Sequence, residues 1–593
     1  MRWKQFYATG YEEILRQEFP RETLWKFLER SLLFDGDRHD ALVYSGRRIS
    51  RTSFVEQVQL WGRVIKGMGL KEGDECLLFG PSLPEFIYIM LAADMTGVTA
   101  NIPNLMVSPA GLAAMVGRSR AAFVFDGLEA GIRKVLAREQ FEHVVVISAT
   151  HAMGYPLKLI ASPLNAIKRL GSRHRRKYLT ADAAIRRFGS YDGPLEAPAV
   201  AGKTSYIFCS SGTSGRGGAA HQIGTSDRAM IAMFQNALAF NLNGEPCREG
   251  TISYCPLPPF VCTGFFVLVL APLQRGMTVH LDPRLSPRHF IKNILAIRPQ
   301  AIVVPGPFWV HLFDHIDRLV RKGRRPDLSF FRFPVMGGEG CTPQALRHIN
   351  EVMQACGSPV ALTSGYGLSE TFSVCTVDYA PKGFDKDYSR AAVSVGYPFP
   401  GVTVGIFDRN GHELGYGERG EIRIKTESLT TGYINDPEFT QAKLKDGWLH
   451  TEDYGELDER GKLFVYGRMD QYAQTQNGEK VYLFDISGLL REDPAVKDAL
   501  VCRLETEHCP LVAHVVLEDN IPDTEEDVLR RLDARVSAFL PAGLRMEGYR
   551  TERGQLRSNL VGKTDRNYYS KLFTGYRTIQ DGLLGNMDYS GQE

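Results

Sequence analysis

The stretch Ser210-Ser211-Gly212-Thr213-Ser214-Gly215-Arg216-Gly217-Gly218 has the residue types of an anion cradle. Glycines let backbone N–H groups approach an anion closely, and the hydroxyls add further donors. Tyr206 to Cys209 before it reads as a strand, Ala219 to Ile223 after it as extended chain, and a helix starts only near Ser226. The loop therefore joins two strands and does not open a helix, which separates it from a Walker A loop. Gly562-Lys563-Thr564 copies a Walker ending, but Arg557 stands where that pattern needs glycine, and the P-loop reading is rejected. Surface turns share the composition of the 210–218 loop, so alone it says little.

Alternating strands and helices must position such a loop. Phe54, Val58, Trp61, Ile65 and Met68 recur at helical spacing behind a Ser53/Glu56 capping-box pattern. Cys76–Phe79 and Ala122–Phe125 read as strands, and Pro84 opens a helix. This alternation predicts an α/β fold with parallel or mixed sheets. With 593 residues the chain exceeds one domain. Lys and Arg number 70 against 68 Asp and Glu, a balance that argues against a general nucleic-acid binder. The ten cysteines form no Cys-x-x-Cys pair, and Cys255 and Cys262 have apolar neighbours, so core roles are expected. The longest apolar run, Val261 to Leu273, is too short to span a bilayer. Charge throughout Met1 to Arg16 leaves no signal-peptide core, and a cytoplasmic location is expected.

The loop at 210–218 resembles the phosphate-binding signature [ST]-S-G-[ST]-T-G-x-P-K-G of the acyl-adenylate-forming, or AMP-binding, enzymes, and the resemblance is closest to fatty acyl-CoA synthetases. Further motifs are similar to that family's in order. Leu257 to Phe265 is close to L-P-x-F-H-x-x-G, and Gly337-Gly338-Glu339-Gly340 to the adenine-side turn. Gly365-Tyr366-Gly367-Leu368-Ser369-Glu370-Thr371 resembles Y-G-x-T-E, and Gly396 to Gly401 another turn. Trp448 to Asp453 with Tyr466 to Asp470 resembles the ribose-binding and hinge pair, and Gly562 to Arg566 the terminal G-K-x-x-R. Each motif is weak; the ordered set, from about 40 to 570, is strong.

The resemblance implies a large N-terminal domain of several subdomains with mixed sheets, residues 1–470, and a small mobile α+β lid, 471–593, hinged at Asp470. It implies ATP-dependent activation of a carboxylic acid to an acyl-adenylate, then transfer to coenzyme A. Ser210, Ser211, Gly212, Thr213, Ser214 and Gly215 would hold the phosphates, and Gly338, Glu339, Gly340, Gly365, Tyr366, Gly367 and Ser369 would line the nucleotide. Asp453 would take the ribose hydroxyls beside Arg468 and Tyr466, Glu370 would bind Mg²⁺, and Lys563 would reach between the carboxylate and the α-phosphate. A lone Glu with phosphate oxygens suits Mg²⁺. No carrier attachment motif follows Arg566, so a stand-alone ligase is expected.

Departures cluster at the chemistry. Gly217-Gly218-Ala219 replaces Pro-Lys-Gly, Val261 the family's His, Glu452 the Gly of T-G-D, and Gln474 the Lys after the hinge. Arg216 is a candidate substitute cation. These changes keep two alternatives open: an acyl-AMP ligase that loads a carrier protein, and a nucleotide- or acyl-binding family member without turnover. The basic, amphipathic stretch 156–179 is similar to an insertion in some long-chain synthetases and reads equally as a solvated hairpin or as a contact with the inner membrane face. The acid is expected to be a medium- or long-chain fatty acid.

Overall fold

The computed structural model describes residues 7–8, 10–16, 22–34, 36–153, 178–210, 221–239, 249–284, 286–378, 386, 388–519, 521–559, 562–580 and 583–590. Residues 211–215 of the loop expected to hold phosphates, Arg216 to Gly218, and most of the basic stretch 156–179 lie outside them. Among the described residues, no helix is long and apolar enough to cross a membrane.

The chain folds as a large mixed α/β N-terminal domain and a small α+β C-terminal one, as the motif order implied. In the larger sheet, Asp40–Tyr44, Thr278–Leu281, Ile252–Cys255, Ala301–Val304, Phe333–Gly337 and Thr363–Tyr366 run parallel. The sheet then turns antiparallel through Thr376–Val377, Ser394–Pro398, Leu463–Arg468 and Trp448–Leu457. A second sheet carries Tyr206–Cys209 between the parallel Thr99–Asn101 and the antiparallel Gln222–Thr225. The 210–218 loop thus joins two strands, as its flanks predicted. Helix Pro84–Met95 opens at its proline and is buried along its whole length, as a helix without a charged face must be. Helix Arg51–Gly67 starts earlier than the Ser53/Glu56 pattern implied: its cap is Ser50, whose hydroxyl accepts from the Ser53 N–H at 3.2 Å. The apolar run after Val261 forms a π-helix, Thr263–Leu270, and Cys255 and Cys262 are buried.

The C-terminal domain has its own core, formed where helices Leu483–Arg491 and Glu525–Phe539 cover a five-stranded sheet beginning with Val496–Arg503. It docks on the N-terminal domain through Lys497 and Gln555, which both donate to Asp314 Oδ2 at 3.0 Å.

Where the larger sheet changes from parallel to antiparallel, backbones crowd. Gly396 has φ +83°, and a Cβ there would lie 2.0 Å from the Val377 carbonyl oxygen and 2.1 Å from the Asp378 nitrogen. Neither backbone atom can yield without breaking the ladder. Gly396→Ala is therefore expected to cost more than ~2 kcal/mol and lower the thermal midpoint by ~2 °C or more, read by scanning calorimetry.

Candidate functional site

The parallel strands Phe333–Gly337 and Thr363–Tyr366 end side by side, and the turns beyond their carboxyl ends build the site. Ligands in open α/β sheets bind there because the strand order changes and leaves a crevice. Gly338, at φ +85°, takes a backbone conformation that side chains resist. A Cβ on it would approach Lys563 Cε to 3.6 Å, so this turn and the lysine of the other domain are neighbours. The peptide N–H of Gly306 donates to the Glu339 carbonyl at 2.9 Å, and Gly340 abuts the same helix start. Gly365 lies against the Thr376 carbonyl, and Gly367 has no room for a Cβ, which would fall 1.6 Å from the Ser373 oxygen.

One carboxylate of the N-terminal domain, Glu339, bonds the C-terminal segment directly. Glu339 accepts from the Thr564 N–H at 2.6 Å and from the Thr564 hydroxyl. Burial pushes the Glu339 carboxyl up, while Thr564, Arg566 and Lys563 oppose the shift. Lys563 is half-buried and surrounded closely enough that desolvation pushes its pKa down, against the attraction of Glu339, Asp453 and Glu370. Gly562 before it, at φ +81°, is pressed on the Phe308 ring, where a Cβ would lie at 2.1 Å.

Asp453 and Arg468 sit opposite each other on antiparallel strands. Arg468 Nη1 donates to Asp453 Oδ1 at 3.2 Å and to the Thr451 carbonyl at 2.9 Å, and the Tyr366 hydroxyl donates to Asp453 Oδ2 at 2.6 Å. Burial raises the Asp453 pKa, and these two partners and Lys563 counter it. Each carboxylate oxygen keeps a second acceptor position, so the group is oriented without being saturated.

Glu370 is held by the Tyr433 hydroxyl, which donates to Oε1 at 2.9 Å, and its carbonyl accepts from the Thr430 N–H at 2.7 Å. Its other oxygen takes no donor among the described residues, which leaves a hard oxygen ligand of the kind Mg²⁺ requires. Ser369 bonds the Cys262 thiol, which burial holds at about 12. Ser210 and His221 clip the two ends of the glycine- and serine-rich loop: Ser210 N donates to the His221 carbonyl at 2.8 Å, and His221 N to Ser210 Oγ at 3.0 Å. The structure gives Tyr466 a different neighbourhood, with the Arg419 guanidinium 3.9 Å from its ring centroid.

Tyr433, His221, Phe439, Lys443 and Glu452 enter the site without having been singled out as site residues. His221 stacks on Phe439 at 4.5 Å, and Phe439 meets Tyr433 edge-on at 4.6 Å. The Gly-Tyr pair Gly432-Tyr433 and the Asp436-Pro437 helix start were the sequence signals available. Glu452 has φ +58°, so a residue with a side chain occupies the left-handed position that a glycine would take freely. Its Oε2 receives both Lys443 Nζ at 2.5 Å and Arg468 Nη2 at 3.2 Å, and Lys443 is buried.

Known proteins resemble this chain in sequence and in fold. The sequence pattern of the family described as "AMP-binding enzyme" matches residues 34–434. Among similar proteins, 4-coumarate–CoA ligase 1 of Petroselinum crispum is 22% identical over 524 residues, covering 87% of each chain. 4-coumarate–CoA ligase-like 6 of Arabidopsis thaliana is 26% identical over 338 residues, 56% of this chain; the match spans 57% of that relative. The solved structure of the anthranilate CoA ligase AuaEII in complex with anthranoyl-AMP superposes with a TM-score of 0.73 at 19% identity, over 93% of this chain and 98% of that one. At that identity the likeness establishes the shared fold.

The pairing of Lys443 with Glu452 is testable as a unit. Glu452→Gln leaves a buried ammonium without its carboxylate and should cost about 2 kcal/mol, less than for a fully enclosed pair because the Glu452 side chain is 47% exposed. Lys443→Met together with Glu452→Gln should recover most of that loss, giving a coupling above ~1 kcal/mol in a thermal-unfolding double-mutant cycle. Additive losses would show that the two side chains stand independently.

Proposed function

This chain belongs to the AMP-binding enzyme family, and from that premise we propose that it is an acid–CoA ligase, joining a carboxylic acid to AMP and then to coenzyme A. The convergence of Lys563 with Asp453, Glu370 and Glu339 across the two domains carries the reading. A carboxylate and an α-phosphate repel, and a partly desolvated ammonium between them offsets that repulsion more strongly than it would in water. Lys563 does this while Asp453, oriented by Tyr366 and Arg468, accepts from the ribose hydroxyls. Turns 338–340 and 365–367 approach the nucleotide closely because they lack side chains at Gly338, Gly365 and Gly367. The segment between Ser210 and His221 carries the glycines and hydroxyls for the phosphates. Glu370 would hold Mg²⁺, which supplies charge neutralisation to the phosphate oxygens when bound. Attack of the acid oxygen on the α-phosphorus expels pyrophosphate, and the thiol then displaces AMP from the acyl carbon. We place the hinge for the second step at Asp470, whose Oδ1 lies 3.8 Å from Arg468 Nε, so that the lid, 471–593, turns Lys563 away.

An apolar cavity of about 140 Å³ runs from Gly338 and Gly367 between Val303, Val335, Phe266 and Met233. An apolar cavity of about 150 Å³ accommodates a benzene molecule. The acid's body is therefore of ring or medium-chain size, shorter than a long fatty acid. Relatives named for 4-coumarate support an aryl body as readily as an alkyl one.

ATP–pyrophosphate exchange over a panel of aryl and medium-chain acids tests the reaction, and its absence with every acid would overturn it. Lys563→Ala should lower adenylate formation by 10²–10³, roughly 3–4 kcal/mol, yet spare thioester formation from supplied acyl-AMP. Equal loss in both half-reactions would remove Lys563 from the proposed role.

A further inference from the structure

The acyl cavity has one charged residue on its described walls, and it stands at the end away from Lys563. The parallel strands give the direction: Gly337 and Gly365 mark the carboxyl ends, where the site lies, while Ala301 and Phe333 mark the opposite ends. Phe333 to Gly337 is four strand steps, about 13 Å. Arg275 and Met277 line the cavity at the far end, just before the strand Thr278–Leu281. The walls between are Val303, Val335, Val267 and Phe266, and the hydroxyl of Ser253 is already given to the Leu268 carbonyl at 3.2 Å.

Arg275 is built into this end. Its own Nη2 donates to the Ala237 carbonyl at 3.3 Å, and among the described residues no carboxylate pairs with it. The buried Arg51 donates to the carbonyls of Leu273 and Met277, at 3.4 and 3.3 Å, and so fixes the segment that carries Arg275. A guanidinium is a planar fork of five donors matched to a carboxylate, and one at the end of an apolar wall gains most from an anionic partner. A methyl-terminated acid would fill the cavity and leave those donors unmatched.

Resting on the ligase reading above, we propose that Arg275 determines specificity and that the preferred substrate is a dicarboxylic acid with an apolar spacer. One carboxylate is activated beside Lys563, and the second lies on the Arg275 guanidinium. The acid's distal charge, rather than its chain length, then decides which molecule is accepted.

The experiment compares kcat/KM in pyrophosphate exchange for suberate against octanoate and for terephthalate against p-toluate. Wild type should favour the dicarboxylate of each pair by roughly tenfold or more, the discrimination of a polar site against an analogue that leaves its donors unpaired. Arg275→Met should collapse that ratio, Arg275→Lys should keep part of it, and Arg275→Glu should shift preference toward ω-aminooctanoate. A merely structural arginine would not invert charge preference. Exchange that is faster with octanoate and p-toluate in wild type, or a ratio unchanged in Arg275→Met, would overturn the role of Arg275 and leave the ligase reading standing. Exchange with no acid at all would overturn both.

Discussion

Lys563 brings a positive charge into a cleft where little water remains to solvate it, and much of the architecture around the site serves to keep it there. Desolvation favours the neutral amine, and the field of Glu339, Asp453 and Glu370 opposes that tendency. Asp453 and Glu370 cannot follow the lysine, because their partners belong to the N-terminal domain: Asp453 is bound to Tyr366 and Arg468, and Glu370 to Tyr433. Glu339 instead grips Thr564, the neighbour of the lysine on the C-terminal domain. The lysine must therefore be delivered to them, and the glycines on either side of the contact allow it. Gly338 leaves space for its aliphatic stem, and Gly562 lets its backbone lie on Phe308.

The sheet explains why these groups meet. Parallel strands aim the turns 338–340 and 365–370 at one crevice, while the antiparallel half returns Asp453 and Arg468 beside it in ladder register. Opposite residues on an antiparallel pair face each other at short range, so their pairing follows from register alone. The same sheet supplies the floor of the apolar cavity, so the glycine turns and that cavity are two ends of one set of strands.

The chain's departures from its family have different structural meanings. Glu452 occupies a left-handed position at a cost in backbone strain, and its carboxylate satisfies the buried Lys443 while steadying Arg468. Gln474 is exposed and bonds the Gly478 carbonyl at 3.1 Å, a local turn contact. Val261 packs on the main core as an ordinary apolar side chain. A substitution at a motif position can therefore be absorbed by a new ion pair, by solvent, or by packing.

The sequence by itself determined the order of motifs, the α/β class, and several elements to within a residue or two, among them Tyr206–Cys209 and the helix opened by Pro84. Those features are local: strand pattern, proline at a helix start, and glycine turns depend on neighbours along the chain. The capping pattern points to Ser53 whereas the cap is Ser50, because several nearby hydroxyls can cap and only backbone geometry selects one. Tyr433 and His221 stayed hidden because their meaning comes from partners far along the chain, Glu370 for Tyr433, 63 residues away, and Phe439 for His221; Lys443 stayed hidden because only the fold of the strand that follows it brings Glu452 back to it. Arg275 is one arginine among many until the sheet puts it at the end of a cavity whose other end holds Gly338. Distances across a fold are set by strand register and packing, and these exist only once the whole chain has closed around its core.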